Sequence, residues 1–426
     1  MDMIQSAAQA KKASITLASV SSEQKNHALK TVADYLINNI DKIVRANEED
    51  IQRSKKENLP ETLIKRLKFD GKKIRDVVDG INSLINLDDP IGKKLMATEL
   101  DEALNLYKIS CPIGVIGIIF ESRPDALVQI STLCLKSGNA VLLKGGSEAM
   151  QTNRILAELI QKATDAAGIG TDWIHLLETR DDVNKMLKLD RYIDLLIPRG
   201  SNEFVQYIMD NSRIPVLGHA DGICHCYVDK DADLEMAVDI VNDSKTQYVS
   251  VCNATETLLV HSEVANRFLP KFKEVIQESN VQLRGCENTR KIIDVTVASE
   301  RDWKTEYLDY ILSIKVVNSL EEAIEHINTY GSGHTDSIIT ENKEIAQKFM
   351  DLVDSANVFW NCSTRFSDGF RFGFGAEVGI STNKIHARGP VGLDGLTIYK
   401  YKLIGNGHIV SDYAEHRRKF THKPIA

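Results

Sequence analysis

The sequence predicts an α/β protein with parallel sheets. From residue 113 onward, short apolar runs alternate with amphipathic segments of helical periodicity, a pattern typical of βαβ units. The residues before that stretch show helical apolar spacing with no strand pattern of comparable strength. The chain of 426 residues is long enough for two or three domains, each with its own core.

The amino-terminal region, about 90 residues long, is predicted to be helical. Ser21 and Gln24 form a capping-box pattern, and an apolar stripe at helical spacing follows over 28–40. A second stripe of the same kind covers 74–85. We expect these helices to cover a sheet.

Two α/β stretches follow in order along the chain. In the first stretch, strands are predicted at 115–120, 140–143, 174–177, 193–197 and 214–217, and helices at 125–136 and 149–167. In the second stretch, strands are predicted at 224–228, 257–261, 313–317, 337–340 and 357–361, and helices at 234–242, 262–278 and 319–328. Ligands of parallel sheets bind at the carboxyl ends of the strands, so we expect functional loops there.

Two further strand-like runs, 100–109 and 396–404, belong to neither stretch. The second alternates well enough to form the edge of a sheet. We expect the two runs to form a protruding ribbon used in assembly, and therefore a homo-oligomer.

Composition and charge exclude several classes of function. The net charge of −8 argues against binding to nucleic acid and to an anionic membrane surface. No apolar run approaches the ~18 residues of a membrane span, and residues 1–14 lack the apolar core of a secretory signal. Seven cysteines, an odd and sparse count, do not indicate a disulfide framework, so we expect a cytoplasmic protein.

Glycines follow two predicted strands, in 144–147 and 199–202, and each group precedes a predicted helix. The amino end of a helix favours anions through its unpaired N–H groups and its dipole. A diphosphate is therefore one interpretation of these turns, with Lys144 reaching ribose or phosphate. Plain strand-to-helix turns are the other, and the spacing alone leaves both open.

Among the cysteines, Cys252 follows a predicted helix and precedes a predicted strand, with small and polar neighbours. A thiol in such a loop is a candidate nucleophile, although buried packing cysteines are common. The triplet Cys224, His225 and Cys226 does not predict a metal site, because successive strand side chains point to opposite faces. We expect no metal in this protein.

The region 363–395 is rich in glycine, phenylalanine and basic residues, which suits neither helix nor strand. Long ordered loops of this kind are often functional. Arg365, Arg371 and Arg388 suit recognition of carboxylate or phosphate. The alternative is an exposed loop that only packs the lobes together.

Taken together, four stretches of the chain resemble the aldehyde dehydrogenase superfamily, and within it the family that reduces L-glutamyl 5-phosphate. These stretches are 111–125, 218–225, 323–338 and 365–380. The resemblance implies a Rossmann-type cofactor domain, an α/β catalytic domain and a small β ribbon for oligomerisation. In this chain it implies an NADP-binding domain at 1–97 and 113–223, a catalytic domain at 224–393, and the ribbon with a carboxyl-terminal tail at 98–112 and 394–426.

The resemblance also implies roles for individual residues. Cys252 matches the catalytic cysteine of the superfamily, and Lys144 matches the lysine that contacts the adenosine ribose of the cofactor. Gly200 and Ser201 match the turn beside the cofactor diphosphate. Glu306 falls where the superfamily has a glutamate that holds the nicotinamide ribose.

Three positions depart from the superfamily pattern. His219 replaces the glutamate that activates water in hydrolytic members, which suits a phosphate-dependent reductase that has no thioester to hydrolyse. Ser122 and Arg123 stand where the oxyanion-hole asparagine is expected. Ser147 replaces a glutamate that would repel a 2′-phosphate, and this favours NADP(H).

The implied activity is the NADPH-dependent reduction of L-glutamyl 5-phosphate to L-glutamate 5-semialdehyde and phosphate through a Cys252 thioester, in proline biosynthesis. The candidate substrate-binding residues are Ser122, Arg123, His219 and Arg365. The chain shows no kinase region, so we expect a separate glutamate 5-kinase to supply the acyl phosphate, and association with it is a hypothesis. A hydrolytic NAD-dependent aldehyde dehydrogenase and a catalytically silent scaffold of the same fold are the alternatives.

Overall fold

The computed structural model describes residues 2–178, 181–218, 221–375 and 377–425. The described residues divide into two compact units. The first lies within 1–200, 207–217 and 392–426, and the second within 201–206 and 218–391. Within the described part of the chain, every helix is too short or too polar to cross a lipid bilayer.

The first unit contains the helical amino-terminal region and a parallel sheet. Its helices are α1 (Met3–Leu17), α2 (Ser22–Asn38), α3 (Ile40–Lys56), α4 (Glu61–Leu67), α5 (Gly71–Ile85), α6 (Pro124–Lys136), α7 (Met150–Ala166) and α8 (Asp181–Met186). Its strands before residue 200 are β1 (Lys94–Asp101), β2 (Leu104–Pro112), β3 (Val115–Phe120), β4 (Ala140–Gly145), β5 (Ile174–Leu177) and β6 (Leu195–Arg199). The next helix, α9 (Asn202–Asn211), is divided between the two units.

Strands β3 to β6 form the parallel sheet of the first unit, in the order β5-β4-β3-β6. This confirms four predicted strands, two of them to the residue. The prediction of a strand at 214–217 is wrong, because only Val216 forms a bridge, to Leu196. The predicted capping box is present, since the hydroxyl of Ser21 accepts a hydrogen bond from the Gln24 N–H and starts α2.

A second sheet of the first unit is antiparallel and corresponds to the predicted ribbon. Its strands include β16 (Thr397–Ile404) and β17 (Lys423–Pro424), and its order is β16-β2-β1-β17. A short helix, α15 (Val410–Ala414), connects these two strands. The single strand predicted at 100–109 is instead a hairpin that turns around Ala103, whose φ of 61° is left-handed.

The second unit is built around a seven-stranded parallel sheet with the order β10-β9-β11-β8-β7-β12-β13. The strands of this sheet are β7 (Cys224–Val228), β8 (Thr255–His261), β9 (Gln282–Gly285), β10 (Thr296–Val297), β11 (Ile311–Val317), β12 (Thr335–Ile339) and β13 (Asn357–Trp360). The unit also contains a separate antiparallel pair, β14 (Gly379–Ser381) and β15 (Gly389–Val391). Its helices are α10 (Leu234–Thr246), α11 (Ser262–Gln277), α12 (Glu287–Arg290), α13 (Leu320–Tyr330) and α14 (Lys343–Leu352). The five strands predicted here are all present.

Apolar packing on the two faces of this sheet fixes the strands that frame the cysteine loop. One cluster joins the central strands to α10 and α11 and includes Phe268 and Phe272, which are fully buried. The other joins them to α13 and α14 and includes Tyr227 and Phe349. Since side chains in both clusters are close-packed, the loops at the ends of these strands start from rigid positions.

Candidate active site

In the first unit, the predicted cofactor turn lies at the carboxyl end of β4. Lys144 is 7 % exposed, and its Nζ donates a 2.5 Å hydrogen bond to the Gly145 carbonyl oxygen. Ser147 is exposed and begins a turn of 3-10 helix, Ser147–Ala149, that leads into α7. The turn therefore presents one buried lysine and one exposed hydroxyl residue at the sheet edge where ligands of such folds bind.

The amino end of α7 already binds an anion from within the chain. Buried Asp50 on α3 accepts hydrogen bonds from the N–H groups of Gln151 and Thr152, at 3.2 and 2.8 Å, and from the Thr152 hydroxyl. Arg53 pairs with this carboxylate at 2.5 Å and donates to the Ser147 carbonyl oxygen. Asp50 thus accepts hydrogen bonds from N–H groups at the helix end that the sequence suggested for a diphosphate. A diphosphate site therefore stays a hypothesis only for the turn at Gly200.

Residues beside this turn fit a nucleotide. They form a pocket whose lining includes Gly146, Met150, Leu176 and Asn153. Asn153 is 2 % exposed, and its Oδ1 has no hydrogen-bond partner in the described part of the chain. A Cβ on Gly145 would lie 2.2 Å from the Asn153 amide nitrogen, so this turn requires glycine. Apolar walls and a buried amide acceptor suit an adenine nucleotide.

The segment predicted to hold substrate in this unit is fixed by Glu148. Ser122 has a left-handed φ of 47°, and its N–H and hydroxyl both donate to Glu148 Oε1, at 2.6 and 2.8 Å. Arg123 follows at the amino end of α6 and is exposed. The Ser122 hydroxyl thus shapes the loop that presents Arg123, and direct substrate binding by either residue stays a prediction.

In the second unit, Cys252 lies in the loop between α10 and β8, at the amino edge of the sheet. Its side chain is half-buried. The thiol of Cys224 lies 3.2 Å from the Cys252 carbonyl oxygen, and a Cβ on Gly222 would lie 2.2 Å from the same oxygen. The backbone of the candidate nucleophile is therefore packed against Gly222 and bound by Cys224, the first residue of β7. The carboxyl ends of the strands, where the sequence pattern placed functional loops, do not hold this residue.

A buried guanidinium lies within electrostatic range of this thiol. Arg365 is 8 % exposed, and its Nε donates a 2.9 Å hydrogen bond to Gln247 Oε1. Burial lowers the pKa of Arg365 and the nearby Arg371 lowers it further, whereas Cys252 acts in the opposite direction. Arg371 also donates to the Arg365 carbonyl oxygen at 2.7 Å. Arg365 near the cysteine, with Arg371 beside Arg365, makes this loop suited to an anionic substrate.

The third arginine of the region has a different position. Arg388 forms an ion pair with Asp354 at 3.2 Å and donates to its carbonyl oxygen at 3.0 Å. It therefore holds the segment before β15 in place. His219, the remaining candidate substrate residue, lies outside the described residues.

Glu306 comes together with the predicted turn at 199–202 and with the segment just before β7. Its carboxylate accepts a 2.5 Å hydrogen bond from Asn202, the residue after Ser201, and another from the backbone of Gly222. Burial raises the pKa of Glu306, and Asp221 raises it further. Because Gly222 also packs on the Cys252 carbonyl oxygen, Glu306 and the cysteine loop share one support.

His225, which the sequence set beside two cysteines, has a structural role. Its Nδ1 lies 2.8 Å from Asp336 Oδ1, and both side chains are fully buried. Its ring packs edge-on against His326 at 5.6 Å between centroids. The pair joins β7 to β12 from within the sheet.

A parallel-sheet unit with a glycine turn after a buried lysine, and a second unit with a cysteine before a central strand, define an enzyme of the aldehyde dehydrogenase type. The model of the aldehyde dehydrogenase family matches residues 1–292 and 291–380. An acetylating aldehyde dehydrogenase from Geobacillus thermoglucosidasius, 16 % identical, shares the fold with a TM-score of 0.64 and covers 95 % of this chain and 96 % of its own.

Other relatives are far more similar. Gamma-glutamyl phosphate reductase of Acetivibrio thermocellus is 70 % identical over 100 % of this chain and 99 % of its own length. That of Pelotomaculum thermopropionicum is 67 % identical over 100 % and 98 %. The crystal structure of the Thermotoga maritima gamma-glutamyl phosphate reductase, 41 % identical, has a TM-score of 0.94 and covers 96 % of this chain and 100 % of its own. The chain therefore belongs to the gamma-glutamyl phosphate reductase family of aldehyde dehydrogenases.

Proposed function

We propose that this chain reduces L-glutamyl 5-phosphate to L-glutamate 5-semialdehyde and phosphate with NADPH, as a step of proline biosynthesis. The observation that carries the proposal is the buried guanidinium of Arg365 in electrostatic range of the half-buried Cys252. A cysteine beside a fixed cation suits attack on an acyl group that carries an anionic leaving group. Membership of the reductase family supports the same substrate.

In the proposed mechanism, the Cys252 thiolate forms a C–S bond with the γ-carbonyl carbon, and the C–O bond to phosphate breaks. Phosphate leaves with the electron pair, and Arg365 and Arg371 stabilise its charge. NADPH, when bound, would supply hydride to the thioester carbonyl carbon. The N–H of Cys252 donates to the oxyanion, which collapses, breaks the C–S bond and returns the thiolate with release of the aldehyde.

The remaining predicted residues have binding roles in this proposal. In the first unit, Lys144 and Ser147 bind the adenosine ribose, and Gly200 lies in the diphosphate turn. In the second unit, Ser201 belongs to the same turn and Glu306 binds the nicotinamide ribose. The exposed serine at 147 stands in place of a glutamate that would repel a 2′-phosphate, which supports NADP(H).

We propose that three further residues bind substrate. They are Ser122, Arg123 and His219. We also propose a cytoplasmic location, from the cysteine count, and a separate glutamate 5-kinase as the source of the substrate.

The reaction is tested in the direction of aldehyde oxidation. The purified chain is mixed with pyrroline-5-carboxylate, the cyclised semialdehyde, and with NADP⁺ or NAD⁺, with and without inorganic phosphate. We expect NADPH formation that requires phosphate and is slower with NAD⁺. Turnover without phosphate would instead indicate a hydrolytic aldehyde dehydrogenase, and no turnover under any condition would indicate a scaffold.

We further propose that the antiparallel sheet of the first unit joins copies of this chain. Strand β16 is at the edge of that sheet, and Tyr401, Leu403 and Ile404 on it are each more than half exposed. An apolar edge strand of this length is a pairing surface. We expect light scattering to show an oligomer, and the double substitution Tyr401→Glu with Leu403→Glu to give monomers. Val297→Glu, on an edge strand of the other sheet, is the control, and a monomeric wild type would refute the proposal.

A further inference from the structure

A buried ion pair in the second unit takes no part in the proposed mechanism. Lys245, at the end of α10, and Glu256, at the start of β8, are both fully buried. Their Nζ and Oε2 atoms are 2.5 Å apart. Burial raises the pKa of Glu256 to about 7, and Lys245 opposes that rise. A buried pair of this kind is weak evidence of a role in stability, because desolvation offsets the attraction.

The second oxygen of Glu256 reaches the segment that carries Glu306. Glu256 Oε1 accepts a 3.1 Å hydrogen bond from the N–H of Leu308. On the other side of that residue, the Ser250 hydroxyl donates to the Leu308 carbonyl oxygen at 3.4 Å. Ser250 and Glu256 are on opposite sides of Cys252 along the chain. The two polar groups of Leu308 are thus both bound by residues that flank the candidate nucleophile.

Leu308 needs such support because its backbone is in a conformation that leucine rarely adopts. Its φ is 52°, in the left-handed region, and its side chain is 40 % exposed, so packing alone does not explain the conformation. The preceding residue, Tyr307, is fixed separately, since its hydroxyl donates to Asp302 at 2.7 Å and lies 2.8 Å from the Ser313 hydroxyl. The chain on the carboxyl side of Glu306 is therefore held at two consecutive residues.

From these contacts we propose that Glu256, oriented by Lys245, is a positioning residue that fixes Glu306 relative to Cys252 by holding Leu308. This inference rests on the proposed role of Glu306 in binding the nicotinamide ribose. Without Glu256, Leu308 relaxes to a right-handed or extended backbone. Glu306 then loses its orientation, while the cysteine loop, supported from β7, keeps its own.

The test compares two double variants that both remove the buried charges. Lys245→Met with Glu256→Gln keeps an acceptor for the Leu308 N–H, whereas Lys245→Met with Glu256→Leu removes it. Replacing both partners of a buried pair with uncharged side chains of similar size is tolerated in other proteins, so both variants are expected to fold. Lys348→Met with Glu321→Leu is a control for loss of an ion pair elsewhere in the unit.

Three quantities are measured: the Kd of NADP⁺ by calorimetry, the rate of Cys252 alkylation by iodoacetamide, and the thermal midpoint. We expect the Leu variant to raise the Kd about tenfold or more and to change the alkylation rate less than about twofold. The Gln variant and the control are expected to stay near wild type. In a Glu306→Ala background, the Leu variant is expected to add nothing to the Kd, since the effect passes through Glu306.

Each other outcome overturns the inference. An unchanged Kd in the Leu variant would show that Leu308 needs no support. An equal effect of the Gln and Leu variants would show that charge, and not the hydrogen bond, matters. An additive effect in the Glu306→Ala background would exclude action through Glu306, and a wild type with no affinity for NADP⁺ would exclude the premise. These binding and alkylation measurements need no turnover, so a failure of the proposed reaction is seen separately in the phosphate-dependent assay.

Discussion

Cys252→Ser is expected to lower the rate of phosphate-dependent semialdehyde oxidation by about 10⁴-fold or more. A serine hydroxyl is not ionised at neutral pH, and the structure places Arg365 near it, which is a cation and not a base. The thioester on which hydride transfer depends therefore cannot form. The measurement is NADPH formation at saturating substrate, together with mass spectrometry of the wild type for a glutamyl adduct on residue 252.

Cys286→Ser is the matched control for this substitution. Burial raises the pKa of the Cys286 thiol, but hydrogen bonds from Thr289 and nearby backbone groups outweigh it, so its pKa is lower than usual. The acidity of its thiol makes Cys286 the rival candidate, whereas the nearby guanidinium of Arg365 favours Cys252. We expect the control to retain activity within about twofold. Loss of activity in Cys286→Ser with retention in Cys252→Ser would reverse the assignment.

The sequence predicted best the elements whose signal is local. Strands β3, β5 and β7 were predicted to the residue, because each is a short apolar run bounded by residues that interrupt the pattern. The run at 214–217 is equally apolar, but it meets only one residue of a neighbouring strand. The turn at Ala103 contains no glycine to mark it, so the hairpin there was predicted as one strand.

The residues of the candidate site also divide into those that the sequence indicated and those that only the structure showed. Cys252, Lys144 and Glu306 were found because their neighbours in the chain resemble a known family. The side chains that support them were missed. Asp50 acts on a helix about a hundred residues away, and Glu256 acts through a backbone N–H in a loop after another strand. No spacing rule connects such partners, because only the folded chain brings them together.

Arg365→Ala is expected to raise the KM for inorganic phosphate in the oxidation assay, and for L-glutamyl 5-phosphate in the reverse direction, about 30- to 1000-fold. This corresponds to about 2–4 kcal/mol, the typical loss when one partner of a charge-assisted hydrogen bond to an anion is removed. Arg365 is favoured over its neighbours because it is 8 % exposed and its Nε is fixed by Gln247, so little side-chain freedom is lost on binding.

Arg388→Ala provides the comparison, since Arg388 already pairs with Asp354. Its KM values are expected to stay within about twofold of wild type. Arg365→Lys is expected to recover only part of the loss. An ammonium lacks the planar fork of N–H donors with which the guanidinium bonds to Gln247 and to a phosphate at the same time. Gln247→Ala, which leaves the cation but frees its orientation, is expected to raise KM by a smaller factor with kcat little changed. If KM in Arg365→Ala equals that of the wild type, the phosphate is bound elsewhere and Arg365 serves only to hold its loop through its backbone contact with Arg371.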